Sequence, residues 1–279
     1  MTSSSAVDRY AVFGNPIAQS KSPTIHQLFA LQTEQDLTYD KILGQVGGFS
    51  ASLAGFFADP YAKGCNVTMP FKEDAANWVT ELSPAAQAAG AVNTISRLDN
   101  GGFRGDNTDG QGLVVDLENQ QFLFADSNVL LIGAGGAAKG VVLPLLQKGL
   151  ASLDIVNRTQ VKAISLCDRF NDERLSGKSF EQVNREAKHY DLIVNCTSTS
   201  LQNELPPLSE EVISRAEHIY DMVYQSADTI FIAKAKQLDV KKTSDGLGML
   251  VGQAAYSFFL WRGVMPKIQP VLDKLRVQL

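Results

Sequence analysis

Basic runs, histidine and cysteine are scarce in this sequence. No run of lysine and arginine exceeds two residues, as at Lys241 and Lys242, and the net charge is −5. Nucleic acid binding depends on a basic patch, so it is not expected here. The three cysteines are far apart and form no CxxC pair, and there are only three histidines. We therefore expect no metal site built from histidine and cysteine.

Long apolar runs are missing as well. The opening stretch MTSSSAVDRY has no apolar core of the kind that a secretory signal needs, so nothing indicates secretion. The longest apolar stretch, near 247–261, contains Gln253 and Ser257 and is too short and too mixed for a membrane span. We expect a cytoplasmic α/β protein without a membrane partner, and we expect residues 1–6 to be disordered.

The length and composition fit an ordinary globular protein. The chain has 279 residues, of which 44% are hydrophobic and 20% are charged. A chain of 279 residues is longer than one that typically forms a single hydrophobic core. The sequence therefore predicts two domains or one large α/β domain.

The first half alternates short strands and helices. Ser22 followed by Pro23 is typical of an N-cap and the first helical position, with a helix continuing to about Leu31. Asp99-Asn100-Gly101-Gly102 is typical of a hairpin turn between two short strands. The other segments predicted here are strands at 10–14, 38–44 and 64–70, a short helix at 50–59, and a helix after Pro70.

The second half has longer apolar strands separated by helices. Strands are predicted at 128–132, 153–157, 191–197 and 218–224, and helices at about 111–119, 137–149 and 160–170. Apolar runs without alternation indicate a parallel sheet that is covered on both faces. The segment 246–263 is apolar nearly all round, which predicts a buried helix.

A glycine-rich turn follows the strand at 128–132. Gly133 allows a tight turn, Gly135 lets the backbone approach a pyrophosphate, and Ala138 is small enough for close helix–strand packing. The helix that follows would offer free N–H groups to phosphates. A merely structural turn is the alternative, but the strand–turn–helix–strand context favours a dinucleotide site.

The residues at the end of the next strand indicate whether the site would bind NAD or NADP. A site for NAD usually has Asp or Glu there, whereas this chain has Asn157, Arg158 and Thr159. Arg158 can pair with a 2′-phosphate through two parallel hydrogen bonds, and Lys162 adds a second positive charge. A solvated surface pair is the alternative, and the glycine turn upstream favours NADP.

Polar residues cluster at strand ends in the first half. Ser20 and Ser22 flank the start of a helix and would suit a carboxylate, although Ser22 could be only an N-cap. Asn66 and Thr68 are two positions apart, so they would share one face of a strand. Asn93 ends another strand. Such groups must bond either the protein or a ligand rich in hydroxyls.

Lys72 lies in the first turn of the helix after Pro70, where the helix dipole disfavours a cation. A lysine there can donate a proton to a carbonyl oxygen and stabilise its negative charge. Asp109, in the turn GDNTDG, could hold the lysine and bond a substrate hydroxyl. Spacing alone does not bring the two residues together.

Seven motifs resemble the shikimate dehydrogenase family. They are, in chain order, FGNPIAQSKSP, NVTMPFK, GAVNT, GDNTDG, IGAGGAAKG, NRT and DGLGMLVGQAA, and they span residues 13–255. The resemblance implies an N-terminal α/β substrate domain, a Rossmann-type doubly wound NADP-binding domain, and a C-terminal helix returning to the substrate domain. We place the substrate domain at 1–111 and 246–279 and the NADP domain at 112–245. The implied activity is reduction of 3-dehydroshikimate to shikimate with NADPH, on the pathway to aromatic amino acids.

The resemblance also implies roles for individual residues. Lys72 and Asp109 match the catalytic pair. The matching substrate contacts are Ser20, Ser22, Asn66, Thr68, Lys72, Asn93, Asp109, Tyr224 and Gln253. The matching cofactor contacts are Gly133, Ala134, Gly135, Gly136, Ala137, Asn157, Arg158, Thr159, Lys162, Met222 and Gly246. The implied partners are the small-molecule substrate and NADP, without a metal, and the protein would be a monomer or a homodimer.

Two positions depart from the family pattern. Gln19 replaces a common histidine beside the serines, and Lys162 replaces a common arginine. Lysine keeps the charge but loses the planar fork, so we expect NADP preference with weaker binding of the 2′-phosphate. A quinate/shikimate dehydrogenase of broader specificity is the nearest alternative. A non-catalytic module that binds NADP or a metabolite is another, although such a module does not need a proton donor.

Overall fold

A computed structural model describes residues 7–279, and the expected disorder of residues 1–6 lies outside the described residues. The chain forms two compact units. The first contains the residues up to Gly112 together with Val251–Lys274, and the second contains Leu113–Leu250 and Leu275–Leu279. Within residues 7–279, no helix is both long enough and apolar enough to cross a membrane.

The first unit is built on a mixed sheet of six strands, in the order β2-β1-β3-β5-β6-β4. Its strands are β1 (Asp8–Gly14), β2 (Leu37–Leu43), β3 (Ala62–Val67), β4 (Glu81–Leu82), β5 (Thr94–Arg97) and β6 (Phe103–Asp106). Its helices are α1 (Ser22–Gln32), α2 (Phe49–Phe57), α3 (Lys72–Trp78) and α4 (Pro84–Ala89). β1 runs parallel to β2 and β3, whereas β5 is antiparallel to both β3 and β6. The predicted hairpin around residues 99–102 is confirmed as β5–β6.

Alternating side chains of β1 cover both faces of this sheet. Ala11 and Phe13 pack in a cluster with α2 residues such as Phe49, whereas Tyr10 and Val12 pack on the other face. This follows from the two-residue period of a strand, whose successive side chains point to opposite faces.

The second unit is a parallel sheet of six strands, in the order β12-β11-β10-β7-β8-β9. Its strands are β7 (Asn128–Ile132), β8 (Ser152–Val156), β9 (Leu175–Lys178), β10 (Leu192–Asn195), β11 (His218–Asp221) and β12 (Lys242–Asp245). This is the doubly wound order, with a reversal of strand order between β7 and β10. Leu130 and Ile132 face one apolar cluster, and Val129 and Leu131 face the other. The predicted parallel sheet with two covered faces is therefore confirmed.

Helices connect the strands of the second unit. They are α6 (Gly136–Gln147), α7 (Gln160–Phe170), α8 (Phe180–Glu186), α9 (Glu210–Ser214) and α10 (Ile230–Gln237), with a short 3-10 turn at Thr199–Gln202. The chain passes from one unit to the other within α5 (Asp109–Asn119), within α11 (Leu247–Arg262) and within α12 (Ile268–Val277). Most of α11 is buried up to Phe258, as predicted, but Phe259 and Leu260 in its last turn are exposed.

Several predicted boundaries were wrong. The N-cap of α1 is Lys21 rather than Ser22, because Lys21 accepts the first helical hydrogen bond, from the N–H of Ile25. β3 ends at Val67, so Thr68 lies beyond the strand that it was expected to share with Asn66. The strands expected to reach residues 197 and 224 end at Asn195 and Asp221.

Candidate active site

Lys72 and Asp109 meet in the first unit. β3 carries the chain to Val67, and after the turn at Pro70 the first residue of α3 is Lys72. Its Nζ donates a hydrogen bond to Asp109 Oδ2 at 2.5 Å, and the two side chains are 21% and 9% exposed. The ammonium is thus partly open to solvent, whereas the carboxylate is nearly enclosed.

Asp109 is held at both oxygens. It is the first residue of α5, where the helix dipole favours a negative charge. Its Oδ1 accepts a hydrogen bond from Asn93 Nδ2 at 2.8 Å, and its backbone N–H donates to Asn107 Oδ1 at 3.2 Å. These contacts fix the carboxylate in one orientation toward Lys72.

Asn93 is the centre of a buried polar cluster. Its Oδ1 accepts hydrogen bonds from the Thr108 N–H at 2.9 Å and from the Thr94 hydroxyl at 2.8 Å. Its Nδ2 lies 3.4 Å from Gln253 Oε1, in addition to the bond to Asp109. The turn after β6 and the helix α11 therefore both contribute to the same cluster.

Asn66 extends this cluster along β3. Its Nδ2 lies 3.1 Å from the Asn93 carbonyl oxygen, 3.1 Å from Thr94 Oγ1 and 3.0 Å from Ser257 Oγ. Its Oδ1 accepts a hydrogen bond from the Tyr39 hydroxyl at 2.7 Å. Asn66 is only 6% exposed, so most of its hydrogen-bonding capacity is used by the protein.

The two serines lie together at the start of α1. The hydroxyl of Ser20 donates to Ser22 Oγ at 3.2 Å, and the N–H of Ser22 points to Ser20 Oγ at 3.3 Å. Thr68 is half-buried, and its methyl group occupies the space that a side chain at Gly14 would need, since a Cβ there would lie 2.5 Å away. Gly14 therefore allows Thr68 to lie against the end of β1.

Sequence reasoning missed the residues that support this cluster. They are Tyr39, Thr94, Asn107, Thr108 and Ser257. Thr94, Asn107 and Thr108 belong to motifs quoted above, and Ser257 is one helical turn beyond Gln253, where its hydroxyl donates to the Gln253 carbonyl oxygen at 3.0 Å. No local signal marked Tyr39.

In the second unit, the carboxyl ends of the parallel strands lie at one edge of the sheet. Gly133 follows β7 with φ = 109°, a left-handed conformation that favours glycine. Gly135 is the N-cap of α6, and a Cβ placed on it would find no atom within 4 Å. Ligands of doubly wound sheets bind at this edge, next to the reversal of strand order. The open space at Gly135 and the free N–H groups of α6 fit a pyrophosphate.

Arg158 and Lys162 are the cations near this edge. Both are exposed, at the end of β8 and in the first turn of α7, and neither forms an ion pair within residues 7–279. Asn157 Nδ2 donates to the Thr159 carbonyl oxygen at 3.0 Å and so closes the loop between strand and helix. Two positive side chains without an internal partner fit a phosphate group.

Met222 and Gly246 are adjacent at the ends of β11 and β12. A Cβ on Gly246 would overlap the Met222 carbonyl oxygen, so only glycine permits this approach. Asp221, just before Met222, accepts hydrogen bonds from Ser200 at 2.5 Å and from Thr229 at 2.7 Å. Burial raises the pKa of Asp221, and these hydrogen bonds oppose the shift. The sequence did not identify Asp221 as the residue whose hydrogen bonds fix the segment at Met222.

Tyr224 and Gln253 belong to different units, on the segment after β11 and on α11 respectively. Tyr224 is half-buried, and burial raises its pKa. Among the residues that the structure describes, no group of three or more His, Cys, Asp or Glu side chains could hold a metal ion.

A doubly wound parallel sheet with a glycine turn and two exposed cations, together with a lysine–aspartate pair in a polar cluster, is typical of the class of oxidoreductases that use a nicotinamide dinucleotide. Family models support this assignment along the chain. The shikimate dehydrogenase substrate binding domain matches residues 12–95, shikimate/quinate 5-dehydrogenase matches 116–233, and the shikimate 5′-dehydrogenase C-terminal domain matches 246–276. The chain belongs to the shikimate dehydrogenase family.

Individual relatives agree over nearly the full length. The chain is 50% identical to a protein of Colwellia psychrerythraea named shikimate dehydrogenase (NADP(+)), over 98% of each chain. The crystal structure of an Ael1 enzyme from Pseudomonas putida is 40% identical, with a TM-score of 0.90 and coverage of 96% of this chain and 98% of that one. The shikimate 5-dehydrogenase of Thermus thermophilus, solved with NADP(H) and shikimate, is 30% identical, with a TM-score of 0.86 and coverage of 98% and 100%.

Proposed function

We propose that this chain catalyses the reversible, NADPH-dependent reduction of 3-dehydroshikimate to shikimate, a step of the shikimate pathway of aromatic amino acid biosynthesis. The observation that carries the proposal is the Lys72–Asp109 pair within a polar cluster, in a chain of the shikimate dehydrogenase family. The relative from Thermus thermophilus, which was solved with NADP(H) and shikimate, supports the choice of both ligands.

The first unit would bind the substrate and the second would bind NADP. The predicted domain limits, 1–111 with 246–279 and 112–245, differ slightly from the compact units, whose limits lie after Gly112 and after Leu250. A third limit of the compact units lies after Lys274, so the last residues, Leu275–Leu279, fall in the second unit.

Lys72 would act as the proton donor. The bound NADPH supplies the hydride, and the carbonyl oxygen that receives negative charge needs a proton. The Lys72 ammonium is partly exposed and carries three protons, only one of which is needed for the bond to Asp109. Asp109 would hold the ammonium in place and stabilise its charge, and it would accept a hydrogen bond from a substrate hydroxyl.

The remaining polar residues would bind the substrate. Ser20 and Ser22, at the start of α1, would bind the carboxylate with their hydroxyls. The ring hydroxyls would be bound by Asn66, Thr68, Asn93 and Asp109, with further contacts from Tyr224 and Gln253. Asn66 and Asn93 are already fixed by protein hydrogen bonds, so little ordering would be needed when the substrate binds.

NADP would bind along the carboxyl edge of the parallel sheet. Its pyrophosphate would contact the turn Gly133–Ala134–Gly135–Gly136–Ala137, and its 2′-phosphate would pair with Arg158 and Lys162, next to Asn157 and Thr159. Met222 and Gly246 would contact the cofactor at the ends of β11 and β12. The open space at Gly135 and the two exposed cations, which form no ion pair within residues 7–279, support this assignment.

A turnover assay tests the function directly. The protein is mixed with NADPH and 3-dehydroshikimate, and loss of the nicotinamide absorbance is followed. We expect rapid loss with NADPH, slower loss with NADH, and in reverse a higher rate with shikimate than with quinate. Comparable rates with quinate would favour the enzyme of broader specificity. Binding of both ligands without turnover would favour the non-catalytic module and contradict the proposal.

The assembly and location are proposed from the sequence. We propose a monomer or homodimer in the cytoplasm. Light scattering of the purified protein would measure its mass, and a mass above that of a dimer would contradict the proposal.

A further inference from the structure

Tyr39 is hydrogen-bonded to Asn66, a residue to which the proposed function gives a substrate contact. It lies on β2, outside every motif, and it is only 4% exposed. Its phenol hydroxyl donates a hydrogen bond to Asn66 Oδ1 at 2.7 Å, across 27 positions of sequence. This hydrogen bond connects β2, which contains none of the family motifs, to β3, whose last residues begin the motif NVTMPFK.

The neighbours of Asn66 fix which way its amide points. The Asn93 carbonyl oxygen, 3.1 Å away, can only accept a hydrogen bond, so the NH₂ group of Asn66 must face it. Oδ1 then necessarily faces Tyr39, and the phenol must be the donor. The two N–H groups of Asn66 are shared among three protein acceptors. A substrate hydroxyl can therefore reach Asn66 only as a donor, to the second lone pair of Oδ1.

The ring of Tyr39 is fixed by aromatic packing. His26 stacks on it with 4.3 Å between ring centroids and 7° between the planes. His26 is 1% exposed, and neither of its ring nitrogens has a hydrogen bond partner within the described residues. Trp261 lies 6.3 Å from the Tyr39 centroid on a tilted plane. A phenol packed in this way keeps its hydroxyl in one position, next to Asn66.

The Tyr39 phenol remains protonated. Burial raises its pKa well above the ordinary value. The hydroxyl therefore remains a donor to Asn66 at any ordinary pH.

We infer that Tyr39 is a positioning residue for substrate binding, whose hydroxyl holds the amide oxygen of Asn66 so that its remaining lone pair can accept a hydrogen bond from a substrate hydroxyl. This inference rests on the proposed function, because Asn66 receives its substrate contact there. Tyr39 itself need not touch the substrate. Its loss should weaken substrate binding without affecting proton donation by Lys72.

The variant Tyr39→Phe removes only the hydroxyl and keeps the stacked ring. We expect the KM for shikimate to rise about tenfold, the upper end of the effect of one neutral hydrogen bond. We expect kcat and the KM for NADP to stay near the wild-type values. Calorimetric titration with shikimate alone should show the same weakening. A loss of correctly folded protein would instead lower the apparent kcat and leave both KM values unchanged.

Tyr10→Phe is a matched control. Tyr10 lies on β1 directly opposite Tyr39 in the parallel register, is 1% exposed, and lies 3.5 Å from Arg262 rather than near Asn66. Its variant loses the same atom in the same sheet, and we expect a wild-type KM for shikimate. A Tyr39→Phe variant with unchanged shikimate binding overturns the inference alone, as does an equal change in both variants. A wild-type protein that neither binds nor oxidises shikimate overturns the proposed function and the inference together.

Discussion

Lys72 Nζ lies 2.5 Å from Asp109 Oδ2, although 37 positions of sequence separate the two residues. Each residue begins a helix, α3 and α5 respectively. The helix dipole favours the carboxylate at that position and disfavours the ammonium, so the carboxylate compensates for the poor position of the lysine. In the proposed function, the ammonium would exchange this hydrogen bond for one with a substrate oxygen.

We expect Lys72→Ala to lower kcat by orders of magnitude with little change in KM. A proton donor acts mainly in the transition state, whereas substrate affinity would come from the serines and amides. Initial rates over a range of shikimate concentrations measure both constants. Lys63→Ala is the matched control, since Lys63 is a half-buried lysine of β3 that forms no ion pair within residues 7–279. An unchanged kcat in the Lys72 variant would remove Lys72 from the mechanism.

Local pattern was enough to predict most strands and the glycine turn. NVLLI and LDIVN are apolar because both faces of the parallel sheet are covered, and that property is visible in the sequence itself. The hairpin β5–β6 was visible because its turn contains Gly101, which has φ = 84°. These features depend on residues that are close in sequence.

Some of the missed elements have no such pattern. The strand β9 is half-exposed along its whole length, and β4 has only two residues, both exposed. The helix α4, with sequence PAAQAA, offers no distinct apolar face. Contacts such as Asn66 with Ser257, 191 positions apart, depend on the completed fold, so no local reading could find them. The family motifs named Asn66, but the residues that hold it became visible only in the structure.

We expect the double variant Arg158→Ala with Lys162→Ala to raise the KM for NADPH at least tenfold and to leave the KM for NADH unchanged. Charge-assisted hydrogen bonds to a phosphate contribute about 1.5–3 kcal/mol each. NADH has no 2′-phosphate, so its binding does not include these bonds and should not change. Arg169→Ala is the control, because Arg169 is an exposed arginine in the last turn of the same helix, α7. Equal losses with NADPH and NADH would show that these cations do not bind the 2′-phosphate.

Alanine at Gly135 and at Gly246 should have opposite consequences. Gly135 has an ordinary φ of −86° and open space beside it, so Gly135→Ala should fold normally but bind NADPH more weakly, because its methyl group would lie where the pyrophosphate approaches. Gly246→Ala should destabilise the protein, because its methyl group overlaps the Met222 backbone. Thermal unfolding and NADPH titration distinguish the two. A destabilised Gly135 variant with normal NADPH affinity would contradict this assignment.

His26 should make the protein less stable as the pH falls below neutrality. Burial lowers the pKa of His26 to about 3, whereas an unfolded histidine has a pKa of about 6.5. Below pH 6.5, His26 therefore binds a proton in the unfolded chain but not in the folded protein. Because of this difference, the free energy of unfolding decreases as the pH falls from 6.5 toward 3. Between pH 7 and pH 5 this amounts to about 2 kcal/mol.

His26→Phe isolates this effect. Phenylalanine keeps a flat ring against Tyr39 and removes two buried nitrogens that have no hydrogen bond partner within residues 7–279. His218, whose pKa burial also lowers, to about 4, has an effect of the same sign and is present in both proteins. Urea unfolding at pH 7 and pH 5 should therefore show a smaller loss of stability in the variant than in the wild type. Equal losses would mean that His26 accepts a proton in the folded protein as readily as in the unfolded chain.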